Sequence, residues 1–201
     1  MAFLVTGEAP DFTARAVLAD DSIEEQFTLS SLRGRNVVLF FYPLDFTFVC
    51  PSEILAFDQA LERFRERDTE VVGVSVDSHY THLAWRNTAV DDGGIGRIGF
   101  PLVSDLSKQI ARDYGLLFEE EVALRGLFLI DREGVIRHAV INDLPLGRNV
   151  EEALRMVDAL RFHEEKGDVC PANWSAGTDG MKPTRKGVAN YLSRFARKDR
   201  T

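Results

Sequence analysis

Cys50 stands in the run Tyr42-Pro43-Leu44-Asp45-Phe46-Thr47-Phe48-Val49-Cys50-Pro51-Ser52-Glu53, directly after an apolar stretch and directly before an amphipathic one. A thiol at a helix N-terminus meets unpaired backbone N–H groups and the positive end of the helix dipole, and both favour the anion. The thiolate is the reactive form of cysteine. The only other cysteine, Cys170, lies far downstream in Val169-Cys170-Pro171. Two cysteines so far apart, the first in an activating setting, point to redox chemistry. A structural cross-link between them is the poorer reading, because chains outside oxidising compartments rarely keep one.

Attack of a thiolate on a peroxide makes three demands at one place. The sulfur must be ionised, the departing oxygen stabilised, and the product sulfenic acid given a defined fate. Thr47, three residues before Cys50, can offer a hydroxyl to sulfur or to a peroxide oxygen. A nearby cation is also expected, since positive charge favours the ionised thiol. Spacing alone does not say which cation. Arg125, in Ala123-Leu124-Arg125-Gly126, stands before a strand otherwise too apolar to want a charge. Two readings are open: Arg125 pairs with Glu53, one turn into the helix, or it reaches water from the strand end. Phe40, Phe41, Tyr42, Phe46 and Phe48 are expected to exclude water, and Pro43 to end the strand or also shield the sulfur. Cys170 can condense with a sulfenic acid to give a disulfide, and its flanks lack helix-dipole activation, as suits a resolving thiol. Cys50-Pro51-Ser52-Glu53 is not C-x-x-C, so a local dithiol is excluded.

The elements that must position these groups follow from periodicity. Val37-Val38-Leu39-Phe40-Phe41-Tyr42 is a continuous apolar run, as expected of a strand buried on both faces. Ile54, Phe57, Leu61 and Phe64 recur at helical spacing and predict one helix over about 51–67, with Pro51 suited to its first turn. Val71-Val72-Gly73-Val74-Ser75-Val76 reads as a second buried strand, completing a βαβ unit with a parallel pair. A helix over 80–85, a glycine loop over 91–96 and a short helix over 108–114 follow. Residues 127–130 and 135–140 predict a hairpin. A last helix is expected over 149–162, and an irregular arm after Gly167. This order matches an α/β thioredoxin-like fold, a mixed central sheet flanked by helices. Residues 1–165 form the expected domain and 166–201 a C-terminal arm carrying Cys170.

Composition narrows the function classes. A formal charge of −8 over 201 residues argues against a nucleic-acid binder. The tail from 182 to 201 is the exception, with seven basic residues against Asp199, and reads as a solvated, mobile terminus. No stretch approaches the ~18–20 apolar residues of a membrane span. The first eleven residues lack the pattern of a secretory signal, so the cytoplasm is the expected compartment. His79 and His82, spaced i, i+3, read as a solvated helix start, because two ligands do not make a zinc site. Gly93, Gly94 and Gly96 do not directly follow a predicted strand and lack the dinucleotide-loop spacing. No metal or other cofactor is called for.

Taken together, Pro43, Thr47 and Cys50 in their run, Arg125 in Ala123-Leu124-Arg125-Gly126, and Val169-Cys170-Pro171 closely resemble the typical two-cysteine peroxiredoxins. The likeness runs from Ala9-Pro10-Asp11-Phe12 through Asp77-Ser78-His79 and Gly93-Gly94-Ile95-Gly96 to Asn142-Asp143-Leu144-Pro145-Leu146-Gly147-Arg148. The resemblance implies that Cys50 is the peroxidatic cysteine, that Pro43, Thr47 and Arg125 complete its pocket, and that Arg148 stands behind it. It implies that Cys170 of one subunit resolves Cys50 of its partner in a head-to-tail homodimer, often assembled into a decamer. It also implies local unwinding of the Cys50 helix before the disulfide forms, and reduction by thioredoxin or a flavoprotein disulfide reductase. A redox-regulated chaperone role is compatible as an addition. One departure is Tyr191-Leu192, where easily over-oxidised members carry Tyr-Phe.

Overall fold

The computed structural model describes residues 4–198, with side chains through residue 194. Asp199, Arg200 and Thr201 of the basic tail, and Met1, Ala2 and Phe3, lie outside the described residues. The chain forms two compact units, Met1–Ala153 and Leu154–Thr201.

The first unit is organised by a seven-stranded mixed sheet. Its strands are β1 (Thr13–Val17), β2 (Ile23–Thr28), β3 (Asn36–Phe41), β4 (Thr69–Ser75), β5 (Leu102–Ser104), β8 (Arg125–Ile130) and β9 (Ile136–Asn142), in the order β2-β1-β5-β4-β3-β8-β9. β6 (Leu117–Phe118) and β7 (Val122–Ala123) make a separate small hairpin. All six residues of β3 are buried, which is why its apolar run is unbroken. β3 pairs parallel with β4 and antiparallel with β8. Alternate side chains feed two apolar layers. Leu39 and Phe41 join Val72, Val74, Tyr114, Phe128 and Ile130 on one face. On the other, Phe40 stacks on Phe57 of the following helix at 4.5 Å.

The helices are α1 (Cys50–Gln59), α2 (Leu61–Arg65), α3 (His79–Arg86), α4 (Gln109–Asp113), α5 (Val150–Lys166) and α6 (Arg185–Lys198). The single helix expected over 51–67 is two, interrupted at Ala60, whose right-handed dihedrals keep the direction of the chain. No glycine or proline marks that break. β1, β2 and β5 have no counterpart in the sequence reading. They are short, and β2 is polar and half exposed, so neither period stands out.

In the second unit the irregular arm expected after Gly167 is corrected. Val169 and Met181 form an antiparallel bridge, and α6 follows. Val188, Tyr191 and exposed Leu192 do recur at helical spacing, but Gly187 just before them and the surrounding charge dilute the signal. Among the described residues no helix is long and apolar enough to cross a membrane.

Candidate active site

The sheet register brings the site together. Phe40 near the end of β3 faces Leu127 of antiparallel β8, so Arg125, two residues earlier in β8, lies beside the point where the chain leaves β3. From there the chain runs through buried Pro43 and a loop with Phe46 in the left-handed region (φ 53°) to Cys50, the first residue of α1. Pro51 occupies the first turn, and Val49 before it supplies no side-chain cap. Gly126, next to Arg125, has no room for a Cβ, which would meet Leu116 at 2.3 Å.

Cys50 is fully buried. Its Sγ lies 3.0 Å from the Thr47 hydroxyl and 3.3 Å from Arg125 Nη1. Thr47 Oγ1 also lies 2.8 Å from the Leu44 carbonyl. One hydroxyl proton cannot serve both acceptors, so Thr47 either donates to a thiolate or, anchored on Leu44, offers a lone pair to an incoming O–H.

Arg125 does not reach water. It is 4% exposed, with Nε on the Leu144 carbonyl at 2.6 Å and Nη1 on Glu53 Oε2 at 2.7 Å. A second guanidinium closes on the same carboxylate. Arg148 donates from Nε and from its backbone N–H to Glu53 Oε1, both at 2.8 Å, and from Nη2 to Oε2 at 3.0 Å. Its Nη1 is held by the carbonyls of Phe41 at 2.8 Å and Gly126 at 2.5 Å, and the guanidinium carbon lies 5.3 Å from the centre of the Phe40 ring. Burial pushes the Glu53 carboxyl up, but hydrogen bonds and charge from Arg148, with Arg125 adding, outweigh it and leave it below its ordinary value. Burial likewise pulls Arg148 down, against the hold of Glu53.

Two guanidinium groups against one carboxylate leave a buried surplus of one positive charge. A Cys50 thiolate balances it. The arrangement therefore sets a buried sulfur, a hydroxyl three residues away and a fixed cation around one point, groups of the kind that cleavage of an O–O bond requires.

Of the aromatics expected to exclude water, Phe40, Phe41 and Tyr42 are buried, but Phe46 is 49% and Phe48 96% exposed. The expectation fails for these two: Phe46 packs one side against Trp85, centroids 5.6 Å apart, with the rest exposed, and Phe48 stands outside the core. His79 and His82 are likewise not solvated; both are buried. His82 sits between the Asp45 carboxylate (Nδ1 to Oδ2, 2.7 Å) and the Val103 carbonyl (Nε2, 3.2 Å), and the Tyr42 hydroxyl donates to Asp45 Oδ1 at 2.8 Å. Asp45, inside an aromatic run that otherwise avoids charge, was the available signal for this network under the Cys50 loop. Among the described residues no cluster of three or more His, Cys, Asp or Glu is arranged to hold a metal.

Cys170 belongs to the second unit. Both cysteines are free thiols. Burial raises the Cys170 thiol above its ordinary value, and Arg155 works against that.

Comparison with known proteins gives the family. Residues 5–139 match the model of the AhpC/TSA family, and residues 159–194, which carry Cys170, match that of the C-terminal domain of 1-Cys peroxiredoxin. The chain is 59% identical to alkyl hydroperoxide reductase C of Helicobacter pylori (strain J99) over 94% of its own length and 96% of that protein. It is 51% identical to peroxiredoxin-1 of Gallus gallus, covering 92% and 94%. The crystal structure of reduced Plasmodium vivax 2-Cys peroxiredoxin superposes with a TM-score of 0.94 at 52% identity, covering 96% of this chain and all of that one.

Proposed function

The chain belongs to the AhpC/TSA family of peroxiredoxins, and from that premise we propose that it is a cysteine-based peroxidase in which Cys50 attacks hydrogen peroxide or an organic hydroperoxide. The Cys50 thiolate takes one peroxide oxygen. The S–O bond forms as the O–O bond breaks, and the departing alkoxide or hydroxide takes up a proton to leave as alcohol or water. Thr47 orients the incoming O–H, Arg125 stabilises the negative charge that moves from sulfur to oxygen, and buried Pro43 helps wall the approach. Glu53 and Arg148 hold Arg125 in place.

In this reading Cys170, on an arm formed by residues 166–201, resolves the sulfenic acid of a partner subunit. Its thiolate attacks Cys50 sulfur, hydroxide leaves, and the thiol proton completes a water molecule. The intersubunit disulfide is returned to two thiols by thioredoxin or a flavoprotein disulfide reductase in the cytoplasm. A homodimer, assembled to a decamer, suits the exposed Phe46 and Phe48, aromatic side chains that the first unit's own core leaves uncovered.

The observation that carries the peroxidase reading is the contact of Arg125 Nη1 and the Thr47 hydroxyl with one buried sulfur. Cys50→Ser is expected to abolish peroxide consumption entirely. Cys170→Ser is expected to give one turnover and a sulfenic acid that a dimedone reagent traps. Continued cycling of Cys50→Ser would refute the peroxidase assignment, and full-rate cycling of Cys170→Ser with thioredoxin would refute the resolving role.

A further inference from the structure

The second unit presents Cys170 in a specific way. Val169 and Met181 exchange two backbone hydrogen bonds of 2.9 Å, fixing the chain on the N-terminal side of the thiol. Residues 171–174 then form a tight turn, with Trp174 N–H on the Pro171 carbonyl at 3.1 Å and Asn173 in the left-handed region (φ 60°). Both ends of this segment dock on α5. The Cys170 thiol donates to the Ala159 carbonyl at 3.4 Å, and Arg155 Nη1 donates to the Trp174 carbonyl at 2.7 Å. Arg155 and Ala159 are four residues apart, about 6 Å along the helix. The Trp174 ring packs against Phe162 with centroids at 4.9 Å.

We propose that Arg155 is a positioning residue for Cys170, holding the 170–174 turn on α5 so that the thiol is presented in one orientation beside a fixed guanidinium. The inference rests on the resolving role assigned to Cys170. Closing the disulfide requires the thiolate, which displaces hydroxide from the sulfenic sulfur of Cys50; the thiol's proton and that hydroxide leave as water, and no further oxidant is consumed.

Burial works against ionisation of Cys170, and Arg155 is the charged group that opposes it. Other charged or titratable groups on the packed elements include Asp158, Arg161 and His163 on α5 and Asp168 and Lys182 beside the bridge. His163 Nδ1 lies 2.8 Å from the Asp168 carbonyl, and Lys182 pairs with the Asp168 carboxylate at 2.6 Å. Loss of the guanidinium lowers the thiolate fraction at neutral pH. A more basic thiolate is also a better nucleophile, so a rise of one unit in thiol pKa slows resolution only about threefold rather than tenfold.

The experiment is a rapid-mixing pulse of hydrogen peroxide on the reduced full-length protein. It follows sulfenic acid formation and then disulfide formation from pH 6 to 9, in wild type, Arg155→Gln and Arg155→Lys. Glutamine removes the charge and, two side-chain atoms shorter, also gives up the hold on the Trp174 carbonyl. The expected result is an unchanged first phase in both variants, and a second phase slowed at least about threefold in Arg155→Gln, with its pH midpoint moved up. Arg155→Lys is expected to restore most of the rate. In the Cys50→Ser background, iodoacetamide alkylation of Cys170 should show the same upward movement of the pH midpoint, independent of turnover. An unaltered second-phase rate and alkylation profile in Arg155→Gln would overturn the inference. A second phase that survives Cys170→Ser would instead refute the resolving role itself.

Discussion

Arg125 Nη1 touches both the sulfur of Cys50, at 3.3 Å, and a carboxylate oxygen of Glu53, at 2.7 Å. One N–H-bearing nitrogen thus links the nucleophile to the charge that orients the cation. Because Arg125 is buried, its position is set by Glu53 and the Leu144 carbonyl and not by solvent, so in the proposed reaction it would not reorganise as charge moves from sulfur to oxygen.

Removing that cation should therefore act on the chemical step. Arg125→Met is expected to lower the second-order rate with hydrogen peroxide by about 10²- to 10³-fold, the scale of losing one preorganised donor to a developing anion. Stopped-flow peroxide consumption measures it. A loss smaller than about threefold would remove Arg125 from the reacting centre.

Thr47 tests the other contact. Thr47→Val keeps the shape and deletes the hydroxyl, and should cost about 10- to 100-fold in the same rate, the range for a hydrogen bond to a charged group. Thr47→Ser, which keeps the hydroxyl, should stay within about fivefold of wild type. A Thr47→Val variant that stays near wild type while Thr47→Ser falls would mean that the methyl group matters and the hydroxyl does not.

Glu53 carries a pH dependence whose sign can be worked out. Burial raises its carboxyl, but Arg148 and then Arg125 more than offset this, so the folded value lies below the ordinary 4.5. A depressed carboxylate adds stability that is complete above the ordinary value and is lost as pH falls through the folded one. Glu53→Gln leaves two buried guanidinium groups without their counter-charge and should cost about 3–5 kcal/mol near neutral pH. In urea titrations from pH 7 down to 3, that difference should hold steady to about pH 5 and then shrink. A gap that stays constant to pH 3 would contradict the depressed value.

The parts of the site that are legible in the sequence are those where chemistry forces an unusual residue into an apolar setting. Cys50 at a strand-to-helix turn, and Arg125 and Glu53 at otherwise buried positions, are of this kind. The central strands β3, β4 and β8 are legible for the same reason in reverse, since burial on both faces demands an unbroken apolar run. What periodicity misses is polar pairing across long sequence separation. Nothing local to His82 announces that Asp45, 37 residues away, stands 2.7 Å from its ring. Nor does composition reveal β5, whose three residues become a strand only by lying between β1 and β4. α6 does carry a stripe, Val188, Tyr191, Leu192 and Phe195 at helical spacing, but Gly187 in its first turn and five basic residues among its fourteen make the segment read as a charged tail.

Asp45 and Glu53 are both buried carboxylates near the Cys50 loop, yet they should respond oppositely to the same isosteric change. Glu53 faces two guanidinium groups and must be charged. Asp45 faces a hydroxyl and an imidazole, and burial pushes its carboxyl up against the pull of His82. An amide at position 45 can satisfy every neighbour: its oxygen accepts from Tyr42, its nitrogen donates to His82 Nδ1, and His82 Nε2–H donates to the Val103 carbonyl. Asp45→Asn should therefore cost less than about 1 kcal/mol, since no buried polar group loses its partner. Asp45→Ala should cost about 2–3 kcal/mol, because the Tyr42 hydroxyl and His82 Nδ1 then lose their short partner and keep only each other at 3.4 Å. Urea unfolding at pH 7 ranks the variants. If Asp45→Asn is as damaging as Glu53→Gln, then position 45 is needed for its charge and not only as a hydrogen-bond partner.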